Sequence, residues 1–383
     1  MTRRLVIITE IISPYRIPLF NALEQHPEID LHVIFLAETD PELRQWQVYR
    51  EEIRFSYEVL PSWRKQIGSY NLLLNRNVAR ALAGARPEVV ICGGYNYPAS
   101  WRALRWARSR GIRFFLWSES TRQDLRAGSA LIEFAKAEFL RRCDGFVVPG
   151  KSAREYLLAH KIKDAAIFTA VNAVDNALFA TAAVAARQNA IHLRSALGLP
   201  NRYFLFAGRL VKEKGVFDLL SAYAKLSEPV RSDVGLVFVG DGAARPALEA
   251  ESEKVFPGTI RFPGFAQREQ LANYYALADM LILPTYTDTW GLVVNEAMAC
   301  GLGVVVSDAA GCAADLVSDH WNGRLIRPGD VSSLASVMED LAHQPELCAT
   351  FGSNSRERIA EYSPKHWSTG IVRAVEAAGV SHD

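Results

Sequence analysis

Short runs of consecutive apolar residues, each closed by a polar or glycine-rich turn, recur along this chain. Leu5–Thr9, Leu31–Ala37, Val89–Cys92, Arg113–Trp117, Gly145–Val148 and Ala166–Thr169 read as buried strands, and Arg54–Leu60 alternates like a more exposed one. Helical spacing runs through Leu23, over Asn71–Ala83 and Ser100–Arg110, through Leu140, and over Lys151–His160. Residues 176–200 are alanine-rich and read as a linker with a connecting helix. The alternation then restarts. Strands are predicted at Tyr203–Ala207, Val234–Val239, Ile260–Phe262, Met280–Leu283 and Val304–Val306. Helices are predicted at Val216–Leu226, Ala243–Glu253, Arg268–Ala276, Val331–His343 and Pro345–Tyr362. Such alternation argues an α/β chain built on parallel, doubly wound sheets. A length of 383 residues suits two domains.

The most informative stretch is Leu281–Asp308. A strand ends at Pro284 and a polar loop, Thr285–Thr289, follows. From Trp290 the apolar residues Leu292, Val293, Ala297 and Met298 fall at helical spacing, until Gly301 and Gly303 stop them. A loop at the C-terminal end of a parallel strand faces the crevice where such sheets take ligands. Amides of Trp290, Gly291 and Leu292 at a helix start attract phosphate, and Gly291 permits close backbone approach. Further along, Glu296 is a carboxylate on an otherwise apolar face. That favours a ribose ligand over a solvated side chain. A second strand end reads Gly208-Arg209-Leu210-Val211-Lys212-Glu213-Lys214-Gly215. Arg209 binds phosphate oxygens bidentately and Lys214 as a point charge, which suits a diphosphate. Taken alone, the lysines fit a solvated turn equally well.

Composition adds compartment and partners. A hydrophobic content of 49% with 22% charged residues is that of a soluble globular protein. Residues 1–175 carry 25 lysines and arginines against 19 acids, and the remainder 18 against 23. The first half is therefore basic and the second mildly acidic. Five scattered cysteines point to reduced thiols in the cytoplasm. Glu10 cuts the N-terminal apolar run short of a signal sequence, and no run is long enough to span a membrane. Trp101–Arg113 mixes tryptophan with arginine. It is either ordinary sheet cover or a peripheral contact with the anionic inner face of the cell membrane. No histidine cluster, paired-cysteine spacing or Asp-x-Asp is present, so no metal is expected. No nucleic-acid partner is expected either.

Together, the two acids eight positions apart and the G-R-x4-K-G loop resemble the signatures of retaining GT-B glycosyltransferases of family 4 (glycosyl transferases group 1). The resemblance covers most of residues 200–330 with specific motifs and is looser over 1–175. It implies that Arg209 and Lys214 hold the donor pyrophosphate, that the first acid faces the donor sugar, and that the second binds the ribose. Asp288 stands at the first position, where the family has glutamate, and Glu296 at the second. The family binds the base through backbone near Phe265 and Ala266; Phe265 as a core residue is equally open. Where relatives have a glycine-rich loop after the first strand, this chain has Ser13-Pro14-Tyr15-Arg16. Arg16 then either faces a phosphate across the cleft or is a surface arginine. Many relatives carry a histidine after the fifth strand; Glu119 stands at a similar place here. It either orients the acceptor hydroxyl, or stabilises charge on the sugar ring, or pairs with Arg122. Tyr15, Tyr95, Asn96 and Tyr97 complete the acceptor-side candidates.

The implied architecture is two Rossmann-like doubly wound domains facing an interdomain cleft. Residues 1–180 would bind the acceptor, 181–362 the donor, and a C-terminal helix in 363–383 would cross back. The implied reaction moves a sugar from a nucleotide-diphosphate sugar to a glycan or lipid-linked acceptor with retention. The expected setting is surface polysaccharide or glycolipid biosynthesis. Arg209, Lys214 and helix dipoles would stabilise the leaving group without metal or cofactor. A sugar-nucleotide epimerase and a non-catalytic sugar-nucleotide-binding subunit are the alternatives. The base, the sugar, the acceptor and the oligomeric state are not fixed by the sequence.

Overall fold

The computed structural model describes residues 2–40, 45–67, 70–121, 130–256 and 258–379. The chain divides into two compact units. One is Met1–Val174 together with Pro364–Asp383, and the other is Asp175–Ser363.

In the first unit, strands β1 (Arg3–Thr9), β2 (Ile29–Phe35), β3 (Ser56–Val59), β6 (Val89–Gly93), β7 (Arg113–Trp117), β8 (Gly145–Val148) and β9 (Ile167–Thr169) form a parallel sheet in the order β3-β2-β1-β6-β7-β8-β9. Its inner strands are near-continuous apolar runs because both faces are covered, whereas the edge strand β3 (SYEV) is exposed. In β1, Val6 and Ile8 join one apolar cluster and Leu5 and Ile7 the other. Residues alternate across a strand, so this split shows core on both sides of the sheet. The helix Pro364–Ala378 belongs to this unit. Its Trp367 is buried beside Phe20 and Trp117, at ring separations of 5.7 and 5.5 Å.

The helix expected over Asn71–Ala83 is not what forms. Strands β4 (Ser62–Ile67) and β5 (Tyr70–Asn75) instead make an antiparallel hairpin, and a shorter helix begins at Val78. The leucines at 72–74 read as a helical stripe, yet they alternate: Leu73 is fully buried and Leu74 is 37% exposed, opposite an exposed Trp63. Asn75 fixes the end of the hairpin by donating to the Leu36 carbonyl at 2.5 Å. The helix Pro98–Arg108, with its arginines and tryptophans, lies on the sheet with Trp106 buried. Its Arg102 donates to the Asn75 carbonyl at 2.7 Å, so part of its charge serves packing rather than solvent.

In the second unit, β10 (Arg202–Ala207), β11 (Val234–Val239), β12 (Ile260–Gly264), β13 (Met280–Leu283), β14 (Gly303–Ser307) and β15 (Gly323–Ile326) form a parallel sheet in the order β12-β11-β10-β13-β14-β15. The edge strand β15 was not expected, since its sequence holds only two large apolar residues. It pairs with β14 from Val304↔Gly323 to Ser307↔Ile326. From β10 the chain runs one way to β11 and β12, then returns to β13 on the other flank of β10. The switch point of the sheet therefore lies between β10 and β13, where ligands bind in open α/β sheets. Among the described residues no helix is long and apolar enough to cross a membrane.

Candidate functional site

Two loops leave the C-terminal ends of β10 and β13, and hydrogen bonds join them. The Tyr286 amide donates to the Glu213 carbonyl at 2.9 Å, and the Thr285 hydroxyl donates to the same oxygen at 3.0 Å. Lys214 ends a single helical turn, Lys212–Lys214, after which Gly215 has φ 68 and opens the helix Val216–Ala224. Any Cβ at Gly215 would lie 2.0 Å from the Pro284 carbonyl oxygen. Only glycine lets the two loops close to this distance.

Across that junction the Lys214 ammonium reaches the Asp288 carboxylate at 2.5 Å and the Thr287 carbonyl at 3.1 Å. Both charged side chains are largely enclosed, at 14% and 19% exposure, so water screens the pair weakly. The other Asp288 oxygen accepts from the Trp290 amide at 3.2 Å. Arg209, by contrast, is exposed, and its guanidinium makes no ion pair among the described residues. Of the loop's three cations, Lys214 is thus paired with Asp288, while Arg209 and Lys212 are exposed.

The helix after β13 is Leu292–Ala299, with Gly291 at its N-cap and φ 98. It starts two residues later than Trp290, for a physical reason. The Trp290 indole is buried and donates to Asn295 at 2.8 Å, and its amide is taken by Asp288. The Val294 amide bonds the Gly291 carbonyl, leaving the Leu292 and Val293 amides at the helix start. Glu296 lies one turn further, half-buried, and accepts from the Tyr275 hydroxyl at 2.8 Å. Burial pushes its carboxyl up to about 7, against the lowering effect of that hydrogen bond. Tyr275 itself was missed in the sequence. It sits in the helix Arg268–Leu277, and no local pattern ties it to Glu296. Phe265 follows β12 and is 40% exposed, which removes the core alternative; Ala266 is beside it, half-buried.

In the first unit the switch point lies between β1 and β6. Arg16 is not a free surface arginine. It donates to the Thr9 hydroxyl at 2.6 Å and to Glu119 at 3.3 Å, and it lies over the Trp117 ring at 4.4 Å. Glu119 therefore has Arg16 as a partner; Arg122 lies outside the described residues. Tyr15 meets Trp46 edge-on at 5.9 Å. After β6, Tyr95 packs on Phe139 while Asn96 is exposed. Burial raises the Tyr95 and Tyr97 phenols, the Tyr97 hydroxyl being also beside the Glu10 carboxylate. Glu10 and its partner Arg64, 3.4 Å apart, were missed because the hairpin carrying Arg64 was read as lying outside any strand. Among the described residues no three histidine, cysteine or acidic side chains gather as metal ligands would.

Residues 189–358, all inside the second unit, match the family of glycosyl transferases group 1. They form a glycosyl transferases group 1 domain. Sulfoquinovosyl transferase SQD2 of Arabidopsis thaliana is 32% identical over 199 residues, covering 51% of this chain and 37% of the relative. D-inositol 3-phosphate glycosyltransferase 2 of Catenulispora acidiphila is 33% identical over 186 residues, covering 46% and 43%. The matched part thus spans less than half the length of these relatives. Among solved structures, Anabaena HepE in complex with UDP and glucose superposes with a TM-score of 0.76 at 17% identity, covering 98% of this chain and all of that one. Sucrose-phosphate synthase from Thermosynechococcus elongatus superposes at 0.72 with 20% identity, covering 98% and 99%. The chain has the GT-B fold.

Proposed function

We propose that this protein is a retaining glycosyltransferase that moves a sugar from a nucleotide-diphosphate sugar to a glycan or lipid-linked acceptor. The observation that carries the reading is the Lys214–Asp288 pair, which ties together the two loops at the switch point of the group 1 sheet. A diphosphate placed there meets Arg209, Lys214 and the Leu292 and Val293 amides. The ribose hydroxyls reach Glu296, the base lies by Phe265 and Ala266, and Asp288 faces the donor sugar. Trp290 acts indirectly, by holding the helix through Asn295.

In the reaction the bond from the anomeric carbon to the phosphate oxygen breaks as the acceptor oxygen bonds to the same face. The acceptor proton passes to the departing phosphate, and Arg209, Lys214 and the helix start stabilise its charge. No metal or cofactor takes part. Arg16, Glu119, Tyr15, Tyr95, Asn96 and Tyr97 of the first unit serve the acceptor. The setting we infer is surface polysaccharide or glycolipid biosynthesis in the cytoplasm, with contact at the inner membrane face.

A panel of nucleotide-diphosphate sugars, tested for thermal stabilisation and then for transfer, tests this reading. A ligand at a hundred times its Kd stabilises the folded state by about 2.7 kcal/mol. Stabilisation by none of the panel removes the donor site. Donor isomerised without an acceptor makes the protein an epimerase, binding without any turnover makes it a non-catalytic subunit, and an inverted product excludes retention.

A further inference from the structure

An open cavity of about 390 Å³ lies at the end of β6 in the first unit, lined by Asn96, Tyr97, Pro98, Trp101, Arg102 and Arg105. Its two charged residues are both arginines, three positions apart, and so on one face of the helix Pro98–Arg108. Arg102 spends one N–H on the Asn75 carbonyl, which fixes its direction and leaves its other donors free to meet a ligand. Arg105 is exposed, with no ion pair among the described residues. Trp101 is held edge-to-face on Phe139 at 4.9 Å, so its indole has a fixed position. The carboxylate beside Tyr97, that of Glu10, is paired with Arg64 at 3.4 Å.

We propose that this groove holds an anionic group, a phosphate or carboxylate, carried by the acceptor sugar. The inference rests on the transferase reading and narrows its acceptor to a charged class. Two guanidinium forks match the planar or tetrahedral oxygens of such a group, and a fixed aromatic beside them suits the sugar that bears it. A neutral glycan would leave the two guanidinium charges without an anionic partner.

The test is titration of the whole protein with glucose 6-phosphate, glucuronate and neutral methyl glucoside, followed by calorimetry at low salt. Either anionic sugar is expected to bind at least tenfold more tightly than the neutral one, and Arg105→Gln to erase most of that difference. Arg105 is exposed, so Arg105→Gln is expected to keep the wild-type melting temperature, which is checked on the same samples; Arg102→Gln with Arg105→Gln extends the loss. Phosphatidylglycerol vesicles, sedimented with wild type and with Arg105→Gln, distinguish a lipid phosphate from a free sugar phosphate. Retention of either source that depends on Arg105 supports the groove. Equal binding of neutral and anionic sugars with no vesicle retention overturns it. So does binding that survives Arg105→Gln but disappears in Arg209→Ala, since the anion would then sit at the donor loop. Nucleotide-sugar stabilisation, measured on the same samples, keeps the two readings apart. If it is present while the groove fails, only the acceptor class falls.

Discussion

Glu296 should trade stability for binding, and replacing it with glutamine measures the trade. Its carboxyl titrates near 7 in the folded protein against an ordinary 4.5, because its surroundings disfavour the charged form. Between those values the folded state holds more proton than the unfolded one, so stability falls as pH rises through that window. The cost is absent below about pH 4.5 and complete above about pH 7. Each pH unit of the interval is worth about 1.4 kcal/mol, which gives roughly 3.5 kcal/mol as an upper bound. Partial exposure of the side chain reduces it, and about 1–3 kcal/mol is the working range. Glu296→Gln keeps an oxygen for the Tyr275 hydroxyl and removes the charge. It should raise Tm at pH 8 by about 3–10 °C, a gain that shrinks at pH 5. The same variant should bind nucleotide sugar at least tenfold more weakly, since a neutral amide loses the charged hydrogen bonds to the ribose. Thermal melts at both pH values, with calorimetry at pH 8, decide the matter. A variant less stable than wild type at pH 8, or a gain of equal size at both pH values, would refute the burial argument.

Arg209→Ala should leave Tm within about a degree, because the side chain is exposed and unpaired, yet weaken donor binding by about 1.5–3 kcal/mol; unchanged affinity by calorimetry would remove Arg209 from the site. Gly215→Ala should cost at least about 2–3 kcal/mol in urea unfolding, since a Cβ there would sit 2.0 Å from a carbonyl oxygen at φ 68. A cost below 1 kcal/mol, on the order of helix propensity alone, would mean the loops part easily. Wild-type donor binding should weaken as pH falls from 8 to 5, as Glu296 takes up its proton, and a flat profile would show that its charge is not used. Activity should survive dialysis against EDTA; complete loss restored by magnesium or manganese would contradict the metal-free mechanism.

How much of this was legible in the sequence follows from the distance over which each feature is decided. Strands such as Leu5–Thr9 and Val234–Val239 were legible because burial on both faces makes them unbroken apolar runs. The hairpin β4–β5 was not, because Leu72, Leu73 and Leu74 fit a helical stripe and the hairpin is decided by Leu73 reaching the core and Asn75 reaching Leu36. β15 was too short and too polar to stand out. The loops that carry Arg209, Lys214 and Asp288 were legible as loops because the apolar runs before them stop at Ala207 and Leu283. The pairing of Lys214 with Asp288 was not: it joins residues far apart in the chain that become neighbours only because β10 and β13 are adjacent. Tyr275 and the Arg16–Glu119 contact were hidden for the same reason.

That pairing also gives a physical account of the shorter acid at position 288. Aspartate places one oxygen on the Lys214 ammonium and the other on the Trp290 amide, and its own carbonyl accepts from the Gly311 amide at 2.9 Å. A single short side chain thus spans the loop after β10 and the start of the Leu292–Ala299 helix. A glutamate's carboxylate would sit one methylene further from the backbone and would have to fold back to keep both of these bonds. The two acids of the segment consequently do different work. Asp288 is paired with a lysine and ties the two loops together, whereas burial pushes the Glu296 carboxyl up to about 7. In the donor site we propose, the net charge at neutral pH then turns on one proton, carried by Glu296 rather than by the pair that fixes the geometry.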